Sequence, residues 1–182
     1  MKLPVVNHQD YVAKINDDNK FPIRKFGELA KYLLNQKIVD KFYKPDYCSE
    51  ETLSRAHSLE YINSIKKKTI DTKSQKKIGF PINDSVVNRS LRATGGTVLA
   101  SKLAIDHHVA CNTAGGSHHA NYNEGAGYCV FNDVAVATRY LQSKSYAKNV
   151  LIVDLDVHQG NGTSDIFRND KSVFTFSMHC KS

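Results

Sequence analysis

The stretch from Val150 to Thr163, VLIVDLDVHQGNGT, constrains the fold of this chain more than any other segment. Its apolar and β-branched residues predict a buried central β-strand, yet Asp154, Asp156 and His158 occupy every second position. Alternate side chains of a strand point to one face, so these polar groups should leave the strand together. Burying unpartnered carboxylates is costly, which predicts a cation opposite them. Histidine and aspartate meeting at a strand end indicate a metal site. The alternative is that the acidic residues only mark where the strand reaches solvent.

The segments around this strand predict an α/β fold, in which a parallel sheet is covered by helices on both faces. Periodicity and capping residues predict helices over 25–36, from 49, from 57, over 84–106, over 131–142 and over 163–167, and further strands over 109–114 and 172–178. Asp84 is the predicted N-cap of the long helix. Gly95 and Gly96 inside it predict close packing against a neighbouring element. His57 is predicted to be a cap or a surface residue.

Length and charge favour one domain, residues 1–182, with no nucleic-acid partner. A chain of 182 residues can bury roughly 70% of its unfolded surface in one core. The net charge of +7 includes lysines at 66, 67 and 68 and at 73, 76 and 77, which flank a polar segment, 69–75, without interleaved aromatic residues. A solvated loop is the favoured interpretation of that segment.

The cysteines and the hydropathy pattern favour a cytoplasmic protein without a membrane partner. The chain has no CxxC pair, which argues against a structural zinc site and a disulfide framework and fits a reducing compartment. The N-terminal apolar run is too short for a signal peptide, and no apolar stretch is long enough to span a membrane.

Three stretches should meet beyond the carboxyl ends of the predicted strands, where ligands bind in such sheets. They are Gly115–His119, Asp154–Thr163 and Ser177–His179. A pair of adjacent histidines is by itself commonly structural or on the surface. Beside an Asp-x-Asp-x-His strand end, the pair instead indicates imidazoles that face one cavity.

These stretches resemble the zinc-dependent histone deacetylase family, including its bacterial members and class IV. The resemblance is carried by GGSHHA (115–120), GAGYCVFNDVAVA (125–137) and VDLDVHQGNGT (153–163), with weaker similarity over 79–104 and 56–62. It covers the chain from about Phe21 onward. It implies an arginase/deacetylase-like three-layer α/β/α sandwich and a zinc hydrolase that removes acyl groups from amines, usually acetyl-lysine.

The resemblance assigns zinc chemistry to four residues. Asp156 and His158 match zinc ligands, and His119 matches the general base that takes a proton from zinc-bound water. His118 matches the second histidine, which stabilises charge beside it. Bound zinc lowers the pKa of water to about 7, where an imidazole is suited to move protons.

The resemblance also assigns supporting roles. Asp154 matches the carboxylate that orients His118 and, with Ser177, lines a site for a monovalent cation such as K+. Gly127 and Tyr128 match the lining of the acyl-lysine channel. Where class I members pair the second histidine with aspartate, this chain has Asn161, so we expect an altered rate rather than a loss of activity.

The third zinc ligand and the catalytic tyrosine of the family are expected downstream of the last predicted strand, beyond Ser182. The chain is therefore expected to be the N-terminal part of the domain and to bind zinc weakly. Two interpretations stay open: a deacylase of acetylated proteins, peptides or small amines such as polyamines, and a non-catalytic remnant that keeps at most a binding groove. An arginase-type manganese hydrolase shares the implied fold, but it needs more carboxylates than this sequence supplies. The sequence does not indicate an oligomeric state.

Overall fold

The computed structural model describes residues 3–16 and 18–181, which form helices and short parallel strands. The helices are α1 (Lys25–Asn35), α2 (Glu50–Leu53), α3 (Leu59–Lys66), α4 (Thr72–Ile78), α5 (Asp84–His107), α6 (Asp133–Ser143) and α7 (Asn161–Ile166). The strands are β1 (Val5–Val6), β2 (Cys111–Asn112), β3 (Val150–Asp154) and β4 (Val173–Ser177). None of the helices in these ranges is long and apolar enough to cross a membrane.

The strands form two separate parallel pairs, β1 with β2 and β3 with β4. The inner side of β3 contributes Ile152 to the hydrophobic core. The outer side does not, because Leu151 is 63% and Val153 is 52% exposed. The prediction of a buried central strand was therefore wrong for the outer face: in the described part of the chain, β3 pairs only with β4 and that face lies open.

Helix α5 packs against α6, β1 and β2 and organises the core. A Cβ atom on Gly95 would lie 2.1 Å from the backbone oxygen of Asp46, and one on Gly96 would lie 2.1 Å from the hydroxyl of Tyr11. The close approach predicted at these two glycines is confirmed, and it explains why the helix interior tolerates them.

Local side-chain contacts correct two sequence predictions. Residues 69–75 were predicted as a solvated loop, but most of them belong to α4. The Asp71 carboxylate caps this helix, because it accepts hydrogen bonds from the backbone N–H groups of Lys73 and Ser74. Helix α5 is capped by Asn83 rather than by Asp84, because the Asn83 side chain accepts from Val86 N.

His57 is buried, so its assignment to a cap or the surface was wrong. Its Nε2 accepts a hydrogen bond from the backbone N–H of Asn132 at 2.9 Å, directly before α6. Burial lowers the pKa of His57 to about 4, so the imidazole is neutral at pH 7. The side chain therefore ties the segment before α3 to the start of α6.

Candidate active site

The loop that carries the two adjacent histidines is held by Asp133, the first residue of α6. The buried carboxylate accepts hydrogen bonds from the backbone N–H groups of Gly116 (3.2 Å) and Ser117 (2.8 Å) and from the hydroxyl of Thr97 (2.5 Å). Burial raises the pKa of Asp133, and these three hydrogen bonds oppose the shift. A Cβ atom on Gly115 would lie 2.4 Å from the Asp133 carboxylate, so the loop reaches this anchor only with glycine there.

Asn132 holds the other end of the same loop. Its Oδ1 caps α6, while its Nδ2 donates to the backbone oxygen of Ala120 and to the hydroxyl of Thr163, both at 3.0 Å. The backbone N–H of Thr163 in turn donates to the backbone oxygen of His118 at 3.1 Å. The histidine loop and α7 are thus joined through one buried amide side chain. Sequence reasoning missed Asn132 and Asp133 as site-forming residues; the available signal was an N-cap residue followed by an acidic residue in the first helical turn.

His118 is paired with Asp154 at the end of β3. Its Nδ1 lies 2.6 Å from Asp154 Oδ2, and the imidazole is buried. Because a carboxylate only accepts, Nδ1–H is the donor, which leaves Nε2 on the opposite side of the ring. That Nε2 lies 3.7 Å from Asp156 Oδ1. The pairing fixes the orientation and the tautomer of the ring.

His119 is paired with Asn161 at the first residue of α7. Its Nδ1 lies 2.7 Å from Asn161 Oδ1, so a neutral amide oxygen accepts the Nδ1 proton and Nε2 is left as a proton acceptor. The ring centroids of His118 and His119 are 4.2 Å apart, and the centroids of His119 and His158 are 5.8 Å apart. Three imidazoles therefore face one region beyond the strand ends.

Asp156 and His158 lie in the loop after β3, since the strand ends at Asp154. The prediction that the strand pleat itself projects them was wrong. Asp156 Oδ1 accepts from the backbone N–H of His158 (2.7 Å) and lies 3.0 Å from His158 Nδ1. The backbone N–H of His158 is the main cause of a lowered Asp156 pKa.

These two side chains have the chemistry of zinc ligands and lie side by side, but a catalytic zinc needs three protein ligands. Residues 3–16 and 18–181 hold no group of three or more His, Cys, Asp or Glu side chains that could hold a metal ion. The residues present therefore do not complete a zinc site.

Asp154 and Ser177, predicted to line a cation site, border one cavity of about 230 Å³. The Ser177 hydroxyl oxygen accepts from the backbone N–H of Gly160 at 3.1 Å and lies 3.0 Å from His179 Nδ1. A Cβ atom on Gly160 would lie 2.3 Å from the Asp154 carboxylate. The two predicted residues are thus brought together, while K+ binding stays a prediction.

Of the two residues predicted to line the substrate channel, Gly127 lies beside His119, and Tyr128 follows it along the chain. A Cβ atom on Gly127 would lie 2.6 Å from His119 Cδ2, so only glycine lets the backbone pack this closely against the imidazole. Tyr128 has a φ of 65°, and its ring packs against Phe21 and Phe80 with centroids 5.1 and 5.2 Å apart. Such a backbone conformation is costly for a tyrosine, and the aromatic packing holds it in place.

Comparisons with known proteins bear on the family and on the fold. The histone deacetylase domain family model matches residues 20–182. An uncharacterized protein from Picosynechococcus sp. is 45% identical over all of this chain and 61% of its own length. Histone deacetylase 2 from Arabidopsis thaliana is 29% identical over 87% of this chain and 43% of its own length.

A solved histone deacetylase homologue from Aquifex aeolicus superposes with a TM-score of 0.83, at 24% identity, over 98% of this chain and 51% of that structure. This likeness concerns the fold, and it confirms the predicted arginase/deacetylase-like α/β architecture. The chain spans about half the length of the relatives it matches.

Proposed function

This chain belongs to the histone deacetylase domain family, and we propose that it carries the proton-transfer and substrate-channel part of a zinc-dependent hydrolase. The proposed substrates are acetylated lysine side chains in proteins or peptides, or small acetylated amines such as polyamines. Family members are generally zinc-dependent. Bound zinc supplies a Lewis acid that activates water.

The observation that carries this proposal is the pair of histidine contacts at the strand ends. His118 contacts a carboxylate through Nδ1, and His119 contacts an amide oxygen through Nδ1. Two imidazoles with different Nδ1 partners, 4.2 Å apart, suit different roles in proton transfer.

In the proposed division of roles, His119 is the general base. The Asn161 amide oxygen holds its Nδ1 proton without adding a negative charge, so Nε2 stays available to accept a proton. His118, whose ring is oriented by the Asp154 carboxylate, is the imidazole that would stabilise negative charge beside His119. Gly127 packs against His119, and Gly127 and Tyr128 would guide the acyl-amine chain toward it.

Asp156 and His158 would supply two zinc ligands, and a third ligand is expected from polypeptide outside this chain. We therefore expect the 182-residue chain alone to show little hydrolysis. The Asp154–Ser177 cavity is the proposed place for a monovalent cation.

The test joins this chain to the part of the Picosynechococcus relative that lies outside the matched region. The chimera should release acetate from an acetyl-lysine peptide or from an acetylated polyamine, and a metal chelator should abolish the activity. His119→Ala should lower kcat by about 100-fold or more, whereas His107→Ala, at the end of α5, should leave it unchanged. Activity that survives His119→Ala would contradict the proposed role of His119.

A non-catalytic acyl-lysine-binding role is the second candidate, favoured by the absence of a complete ligand group among the described residues. It predicts that the chain alone retains an acetyl-lysine peptide and that the chimera shows no turnover. Turnover by the chimera, lost with Asp156→Ala, would exclude this role.

A further inference from the structure

The end of α4 borders the two residues predicted to line the substrate channel. The backbone N–H of Gly127 donates to the backbone oxygen of Lys77 at 3.1 Å, and that of Tyr128 donates to the backbone oxygen of Ile78 at 2.6 Å. A Cβ atom on Gly79 would lie 2.9 Å from Tyr128 Cε1, so the turn after α4 packs directly against the ring. The last turn of α4 is therefore fixed beside the predicted channel lining.

The segment before α1 reaches the same place. Asn19 Nδ2 donates to the backbone oxygen of Gly79 at 3.1 Å, and the ring of Phe21 packs against that of Tyr128 with centroids 5.1 Å apart. Lys20 stands between these two contacts in the chain. Residues 18–25 and the end of α4 thus form one side of the predicted channel mouth.

This side of the mouth is positively charged. Lys20, Lys25 and Lys76 are exposed and make no ion pair with residues 3–16 and 18–181. Lys25 Nζ lies 4.9 Å from the centroid of the Phe21 ring, which itself contacts Tyr128. We call these three lysines the basic rim.

Neighbouring carboxylates do not cancel this charge. Residues 17–25, 71–79 and 124–128 carry six Lys and Arg side chains and four Asp and Glu side chains, a net charge of +2. Glu124 is already paired with Lys77 at 2.5 Å. The sequence places these lysines in a charged and polar stretch, and only the contacts of α4 with Gly127 and Tyr128 bring them to the channel mouth.

We propose that the basic rim selects acyl-lysine peptides in which acidic residues flank the modified lysine, and that it disfavours acetylated polyamines. Acidic side chains next to the modified lysine lie within about 10 Å of the rim, the range over which exposed charges act at about 0.1 M salt. An acetylated polyamine keeps free ammonium groups, which the rim repels. The inference rests on the proposed function, because it names the substrate class of the same site.

The test compares two acetyl-lysine peptides of equal length as substrates of the chimera described above. One carries Asp and Glu on both sides of the acetyl-lysine, and the other carries Lys there. The kcat/KM of the acidic peptide should be at least about fivefold higher in about 20 mM salt, and the ratio should fall towards one in about 500 mM salt. Monoacetylated spermidine should react less efficiently than the acidic peptide. A ratio at or below one in low salt, or equal reaction of the spermidine derivative, overturns the proposal.

Matched variants separate the rim from the charge of the whole protein. Lys20→Gln combined with Lys76→Gln removes two charges from the basic rim. Lys102→Gln combined with Lys148→Gln removes two exposed charges elsewhere, on α5 and before the start of β3. The rim variant should lower the ratio at least about threefold, whereas the control should keep it. Equal losses in both variants would assign the preference to net charge and overturn the proposal.

A binding measurement distinguishes failure of the rim from failure of the proposed hydrolase. Fluorescence anisotropy of the same two peptides, labelled and mixed with this chain alone, requires no turnover. If the chimera hydrolyses no substrate, the proposed hydrolase is refuted and binding decides about the rim. Tighter binding of the acidic peptide, weakened in the rim variant but not in the control, supports the rim, and equal binding of both peptides overturns it. Hydrolysis without any charge preference refutes the rim and leaves the hydrolase standing.

Discussion

Replacing Asp133 by alanine should destabilise the protein by about 3 kcal/mol. The substitution removes the acceptor of two part-buried hydrogen bonds, from the backbone N–H groups of Gly116 and Ser117, and a hydrogen bond to a carboxylate is worth about 1.5–3 kcal/mol. The hydroxyl of Thr97 also loses its carboxylate partner. Part of this loss is offset, because the substitution also removes a carboxylate whose pKa is raised by burial and whose charged form is therefore disfavoured.

Two matched variants separate the contributions to this effect. Asp133→Asn keeps the shape and one acceptor oxygen, so it should cost about 1–2 kcal/mol, and Thr97→Val should cost about 1 kcal/mol. Urea unfolding at pH 7 measures all three variants. The ring nitrogen resonances of His118 and His119 should shift in both Asp133 variants, because the loop that carries them loses its anchor. A cost below about 0.5 kcal/mol for Asp133→Ala, or unshifted resonances, would refute this account of the loop.

Three further predictions address pH, packing and metal binding. Unfolded His57 takes up a proton near its ordinary pKa of 6.5, whereas the folded imidazole does so only near a pKa of about 4. The folded state is therefore less stable as the pH is lowered from 6.5 towards 4. Between pH 7 and pH 5 urea unfolding should show a loss of about 2 kcal/mol from this group, and a His57→Gln variant with the same pH dependence as the wild type would disprove it. Gly162→Ala places a Cβ atom 2.4 Å from the backbone oxygen of Ala120, so it should cost about 1–3 kcal/mol. The control Ser164→Ala, at an exposed position, should be near neutral, and equal costs for both would be inconsistent with the close packing of α7. The chain alone should bind zinc weakly, and Asp156→Ala should bind it at least about tenfold more weakly than the wild type. Isothermal titration measures both affinities, and an unchanged affinity would mean that this carboxylate is not a ligand.

Helix boundaries were predictable wherever the signal was local. A run of helical periodicity beginning at Lys25 predicted α1, and Ser49 was correctly expected at the start of α2. The close packing at Gly95 was also predictable, because glycine inside a helix is costly unless a neighbour requires it. Helix α4 was missed because its polar residues show no apolar periodicity, and only the capping carboxylate of Asp71 reveals where it begins.

The motifs determined the family and the residue types at the site, since His118, His119 and the Asp154–His158 segment stand in a recognisable order along the chain. Their mutual geometry depended on contacts between distant segments. The Nδ1 partners of the two histidines lie 36 and 42 residues further along the chain, and no local pattern specifies such contacts.

The difference between what the sequence determines and what the tertiary structure determines is clearest for the burial of side chains. By itself the sequence determined that β3 is mostly apolar, because residues 150–153 are Val, Leu, Ile and Val. Only the tertiary structure decided that Ile152 lies in the core while Leu151 and Val153 remain exposed, and that His57 and Asp133 are buried. The physical reason is that the sequence specifies which side chains favour burial, whereas the assembled fold decides which of them another element packs against.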